Sequence, residues 1–136
     1  MKPRIAKNLP QHTPRKREGM DSRHLANVRL CPCLVCGFDF GDIKIEAHHL
    51  LRTEERGLSR KSSDRWAVPL SVDCHAALHR AGDEEAYLTA HGIDGRATAN
   101  ALWAARSDLE AMRRVIFRAR QESDLTRRRK QVRAGR

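Results

Sequence analysis

The sequence predicts an α+β fold: a small core of two strands and one helix around metal-holding side chains, a knuckle of cysteines, further short helices, one long C-terminal helix and basic terminal arms. Three observations predict it. Residues 43–50, IKIEAHHL, alternate apolar and polar side chains with the period of a half-buried strand, and residues 65–70, RWAVPL, read as the strand that returns beside it. Ser71 is placed to cap a helix over VDCHAALHRA, which Gly82 closes. CPCLVC, residues 31–36, is a turn-rich knuckle that packs three of the four cysteines together.

The remaining elements follow in chain order. Residues 1–20 hold three prolines and no apolar period, so they read as an extended or disordered arm. From Asp21, DSRHLANVRL places Leu25 and Val28 on one face behind a capping Asp21 or Ser22, a short helix leading into the cysteines. Pro69 confines the return strand to an edge or a strand end, because proline has no N–H to give a ladder. DEEAYLTAHG is a second short helix opened by Asp83 and closed by Gly92. Over 97–122 one long helix is expected, with Leu102, Ala105, Leu109, Met112, Ile116 and Ala119 as its stripe. The organisation expected is a basic flexible arm over 1–24, a metal-centred domain over 25–95, a helix over 96–122 and a basic tail over 123–136.

Composition narrows the function classes. At 136 residues the chain supports one modest core, and with only 4% aromatic residues a metal is a reasonable supplement to burial. No apolar run is long enough for a membrane span or a secretory signal, so a reducing, cytoplasmic setting is expected. There, clustered cysteines hold zinc more readily than they pair as disulfides. The net charge of +10 is unevenly spread: residues 1–24 carry +5, residues 113–136 carry +8, and the body between them carries −3. Two cationic arms around a mildly acidic body suit a grip on nucleic-acid phosphates, with Arg127, Arg128, Arg129 and Lys130 the densest part.

Two clusters carry the chemistry. Cys33 and Cys36 are spaced C-x2-C, so both thiolates can face one ion, with Cys74 as third ligand and Cys31 or a non-cysteine group as fourth. One structural zinc is expected there; buried free thiols are the alternative. His75 and His79 lie four apart on the predicted helix and project from one face. A third imidazole from the HH pair at the strand end would make a three-histidine site with open positions for water and phosphate. Strand neighbours point to opposite faces, so if His48 ligates, His49 must act from the other side of the ion or sit where the strand bends.

The order CLVCG, EAHHL, KSSDRWAVPL and DCHAALH resembles the HNH endonucleases, the ββα-metal or His-Me finger nucleases. More narrowly, AHHL, RGLSRKSSDRWAVPL and CHAALHRAGDEEAYLTAHGID look like the phage and prophage branch that includes the recombination-enhancement-function (Ref-like) nucleases, over roughly residues 25–95. The resemblance implies a metal-dependent DNA endonuclease in which His49 is the general base and His48, His75 and His79 hold one divalent catalytic ion, Mg, Mn, Ni or Zn. Histidine suits the base role because the side chain's ordinary pKa of about 6.5 leaves it largely neutral at physiological pH. Many relatives carry asparagine on the return strand where this chain has Trp66; Asp64 is then expected to tether the loop by accepting backbone N–H groups. Relatives often have a zinc-ligating cysteine where this chain has Ser71. Arg52 and Lys61 beside the hairpin are candidate phosphate contacts. DNA is the expected partner, together with a recombination or phage DNA-processing protein, and the chain is expected as monomer or homodimer. The alternative is a catalytically inactive, zinc-stabilised nucleic-acid-binding or adaptor module on the same frame.

Overall fold

The computed structural model describes residues 19–39, 44–51 and 63–135. Asp21 opens helix α1 (Ser22–Arg29), its carboxylate accepting the His24 N–H at 3.0 Å. The chain then turns through the cysteine knuckle, where the Gly37 N–H donates to the Cys33 carbonyl at 2.9 Å and the Cys33 N–H to the Phe38 carbonyl at 3.0 Å. Gly37 has a φ of +76°, and a Cβ there would lie 2.5 Å from the Arg120 guanidinium carbon. Both its backbone and its lack of a side chain are therefore used.

Strand β1 (Ile45–His49) pairs antiparallel with strand β2 (Ala67–Ser71), with Ala47 opposite Pro69 and His48 opposite Val68. Hydrogen bonds from the Leu50 N–H to the Trp66 carbonyl and from the Val72 N–H to the Lys44 carbonyl continue the ladder at either end. By alternation, Ala47 and Pro69 form a pair without mutual hydrogen bonds. The Pro69 carbonyl points outward, accepting the Leu34 N–H at 2.9 Å, so the missing proline N–H removes no bond to β1.

The return strand begins later than Arg65. Asp64–Trp66 form a single 3-10 turn, because Ser63 Oγ accepts the Arg65 N–H at 3.3 Å and starts a helical turn first. β2 then runs without a loop into helix α2 (Val72–Ala81): Ser71 is both the last strand residue and the cap, its Oγ accepting the Cys74 N–H at 3.3 Å. Helix α3 (Glu84–Ala90) follows, capped by Asp83.

The single helix expected over 97–122 is two. Helix α4 (Gly95–Ala104) ends in a turn, and Asp108 then caps helix α5 (Leu109–Ala134) by accepting the Ala111 N–H at 3.1 Å. The apolar steps continue across this break because both helices face one core, in which Val28, Leu34, Leu70, Leu102, Met112 and Ile116 are fully buried. Nor is 123–136 a tail apart from the helix, since α5 continues through Arg127–Lys130 to Ala134. Arginine, lysine, glutamine and alanine are all strong helix formers, and an Asp124–Arg127 ion pair supports the turn where the helix leaves the body.

Part of the C-terminal charge is structural. Arg120 donates to the Val35 carbonyl at 2.6 Å, and Arg113 donates to the Leu30 carbonyl at 2.7 Å while pairing with Asp39. These arginines fasten α5 across the knuckle. Among the described residues, no helix is long and apolar enough to cross a membrane.

Candidate metal centre

The ββα arrangement brings ligand-type side chains into two groups that could hold a metal ion: His48, His75 and His79, and Cys33, Cys36 and Cys74. Ligand atoms within each group lie within 4.8 Å of one another.

The imidazole group is built from both secondary-structure periods. Glu46 and His48 sit two apart on β1 and share the face toward α2; His75 and His79 share one face of α2. His75 Nε2 is 3.0 Å from His48 Nδ1 and 3.0 Å from His79 Nε2. Behind the rings stand two carboxylates. Glu46 contacts His75 Nδ1 at 2.5 Å, and Glu84 contacts His48 Nε2 while also accepting the Leu51 N–H at 3.0 Å. Hydrogen bonding to His75 holds the Glu46 carboxyl below the usual range. For Glu84 burial pushes upward, but the bonds from His48 and Leu51 outweigh it and its pKa is also lowered.

Proton accounting tests whether an ion fits. An ionised Glu84 and an ionised Glu46 require protons on His48 Nε2 and His75 Nδ1. In neutral rings, the lone pairs of His48 Nδ1 and His75 Nε2 then face each other, with His79 Nε2 beside them. Hydrogen bonds alone cannot satisfy this trio without an added proton; a cation at the common centre satisfies every lone pair. Nitrogens bound to one ion at about 2.0–2.1 Å stand roughly 2.9–3.4 Å apart, and carboxylates behind imidazoles are the usual support of such sites. The donor set fits a divalent ion.

His49 stands outside this trio. The strand is regular, so its ring takes the opposite face, where Nε2 meets Asp64 Oδ1 at 2.8 Å. Asp64 is buried and its other oxygen accepts the Asp21 N–H at 2.7 Å, which ties α1 to the turn before β2. The His49 side chain is 35% exposed, open enough to meet water.

In the cysteine group, burial opposes ionisation of Cys33, but hydrogen bonding to the backbone N–H groups of Cys36, Ser71 and Val35 and to the Ser71 hydroxyl lowers its pKa. Cys74 is pushed up to about 12, first by burial and then by its sulfur neighbours. Three adjacent thiols resist joint ionisation unless a cation joins them, the usual chemistry of a structural metal site. Ser71 Oγ lies 3.6 Å from Cys36 Sγ, on the edge of this group.

Cys31 is corrected by the structure. It follows α1 into the core, its Sγ donates to the Asn27 carbonyl at 3.4 Å, and burial raises its pKa to about 11, so it is a packed thiol apart from the other three. Arg127, Arg128, Arg129 and Lys130 are exposed on the last turns of α5. Arg52 and Lys61 lie outside the described residues. His24 is buried with its ring edge-on to Trp103 at 5.0 Å, and His91 caps α3 against Tyr87.

Sequence reasoning missed Glu46 and Glu84. Glu46 carried a signal, since it shares a strand face with His48; Glu84 carried none, because an acid in a first helical turn reads as macrodipole compensation.

Residues 11–108 match the family described as protein of unknown function DUF968. That is well over half of the chain, and the protein belongs to this family. No curated protein and no solved structure matches the chain.

Proposed function

We propose that the protein is a metal-dependent HNH-type endonuclease that hydrolyses DNA phosphodiester bonds, of phage or prophage origin. One observation carries the reading. Three histidines each bring one ring nitrogen within 4.8 Å of the others, while the histidine next in sequence to one of them is withheld from that group and hydrogen-bonded to a buried aspartate. A structural metal site needs no such withheld imidazole; a hydrolytic site needs a base.

An ion held by His48, His75 and His79 would supply positive charge for the phosphoryl oxygens and the leaving 3′ oxygen. The proton is handled by His49. With its Nε2–H given to Asp64, its Nδ1 holds the lone pair that takes a proton from water, and the Asp64 carboxylate stabilises the resulting imidazolium. Glu46 and Glu84 fix the orientation of His75 and His48. Cys33, Cys36 and Cys74 are read as ligands of a structural zinc that secures the knuckle against α2. The exposed Arg127–Lys130 run supplies sequence-independent attraction to phosphates.

Supercoiled plasmid incubated with the purified protein and a divalent ion should be nicked, and the nicks should disappear with chelator and with His49→Ala. Nicking by His49→Ala at the parent rate would remove the base assignment. Salt-sensitive binding with no cleavage under any divalent ion would instead identify an inactive binding module.

A further inference from the structure

We infer that Gly19 and Ser63 are positioning residues for the proposed base: together with the Asp21 N–H they form a seat that fixes the Asp64 carboxylate against His49. The catalytic consequence rests on the nuclease reading, while the seat itself does not.

The seat joins two segments far apart in sequence. The Asp64 N–H donates to the Gly19 carbonyl at 2.9 Å, and the Ser63 hydroxyl donates to the same oxygen at 3.2 Å. In the opposite direction, the Asp21 N–H donates to Asp64 Oδ2 at 2.7 Å. Residues 19–21 thus grip Asp64 by its backbone and by its carboxylate, and they leave Oδ1 to meet His49 Nε2 at 2.8 Å. Asp21 is fixed in turn by α1, because its carboxylate accepts the His24 N–H at 3.0 Å and its carbonyl accepts the Leu25 N–H at 3.1 Å.

Gly19 is needed in the seat on two counts. Its φ is +84°, a backbone conformation that residues with a Cβ rarely adopt. A Cβ there would also lie 2.6 Å from Ser63 Oγ and 3.0 Å from Ser63 Cβ. Any side chain at position 19 therefore pushes residue 63 away, and the Asp64 N–H, next along the chain, is carried off the Gly19 carbonyl with it.

Two features indicate alignment of the pair rather than attachment of α1 alone. Asp64 is buried, and a buried charge is costly; an apolar side chain would join α1 to the turn without that cost. Its second oxygen is given to an imidazole that is 35% exposed, a bond that interior packing does not require. The two partners are also held by different means. The bond from the Leu50 N–H to the Trp66 carbonyl at 3.0 Å places the backbone after His49 beside the turn that carries Asp64. The direction of the carboxylate depends on the bonds made to it, and the seat supplies the one opposite His49.

The test reads the pair in two ways on the full chain. With 15N-labelled histidine, the parent should show a downfield His49 Nε2–H proton protected from exchange with water, assigned by its absence from His49→Gln. In Gly19→Ala this resonance should be lost to exchange. Plasmid nicking with saturating divalent ion should fall about 100-fold in kcat with KM unchanged, because the seat displaces the base and touches no substrate. Ser63→Ala removes one bond without forcing the backbone at residue 19, so it should show the same changes to a smaller extent and reports even if Gly19→Ala fails to fold. A merely structural joint would lower the melting temperature alone; folded variants that keep both the resonance and kcat would overturn the seat, as would a parent without the protected proton. In a parent that nicks, either change without the other would overturn the positioning role. In a parent that nicks no DNA, loss of the resonance from the variants would keep the seat and remove the nuclease reading.

Discussion

On the proposed nuclease reading, Asp64→Asn separates the orientation of the base from the binding of the ion. The carboxylate accepts two hydrogen bonds, from the Asp21 N–H at 2.7 Å and from His49 Nε2 at 2.8 Å. The amide keeps one acceptor. The Asp21 N–H cannot become an acceptor, so the amide oxygen turns toward it and the NH2 group faces His49. His49 must then accept at Nε2 and carry its proton on Nδ1, the atom needed to take a proton from water. Two bonds to a charged acceptor become neutral ones, a loss of about 1–3 kcal/mol, or roughly 4–12 °C in melting temperature for a chain of this size. Activity should fall much further, by about 100- to 10,000-fold, the usual contribution of a positioned general base. Divalent-ion affinity should be unchanged, since His48, His75 and His79 do not touch Asp64. Nicking rates, melting curves and calorimetric ion titration measured together decide the matter. A variant that melts earlier yet nicks at the parent rate would refute a base role for the His49–Asp64 pair.

Other perturbations address the remaining parts. Glu84→Gln loosens His48 and should weaken divalent-ion binding by about 10- to 100-fold in calorimetric titration; unchanged affinity would mean that Glu84 does not support the ion. Cys74→Ser should lower the zinc retained per chain after dialysis and lower the melting temperature, and zinc content equal to the parent would dismiss Cys74 as a ligand. Burial lowers the His24 pKa, so the unfolded chain binds this proton more readily; stability is full above about pH 6.5 and declines as pH falls below it. Denaturant unfolding of His24→Leu should therefore show a flatter pH dependence between about pH 7.5 and 5 than the parent, and parallel curves would count against a buried neutral ring.

What the sequence conveys depends on whether a residue's direction follows from local periodicity. His75 and His79 share a helix face by their spacing alone, and the opposite aim of His48 and His49 follows from strand alternation; both are seen in the structure. Ser71, Asp83 and Gly82 announce helix ends through side-chain chemistry and a positive φ, and each acts at the expected place. Cys31 misleads because sequence proximity to Cys33 hides the fact that α1 carries its sulfur into the core. The helix break near Asp108 was marked by its own cap, but a continuous apolar stripe concealed it. Glu84 and the seat of Gly19 and Ser63 come from segments brought together only by tertiary packing, which no short-range pattern encodes.

Cys74 and His75 are consecutive residues at the start of α2, one facing sulfurs and the other facing imidazoles. A single peptide bond thus yokes the two clusters, and the rod that bears them admits no independent adjustment. If the thiols hold an ion and the protein is the proposed nuclease, stripping that ion would be felt as lost turnover although no imidazole had been altered. Transplanting the histidine triangle into another scaffold without its sulfur anchor would carry over the ligands but not their alignment.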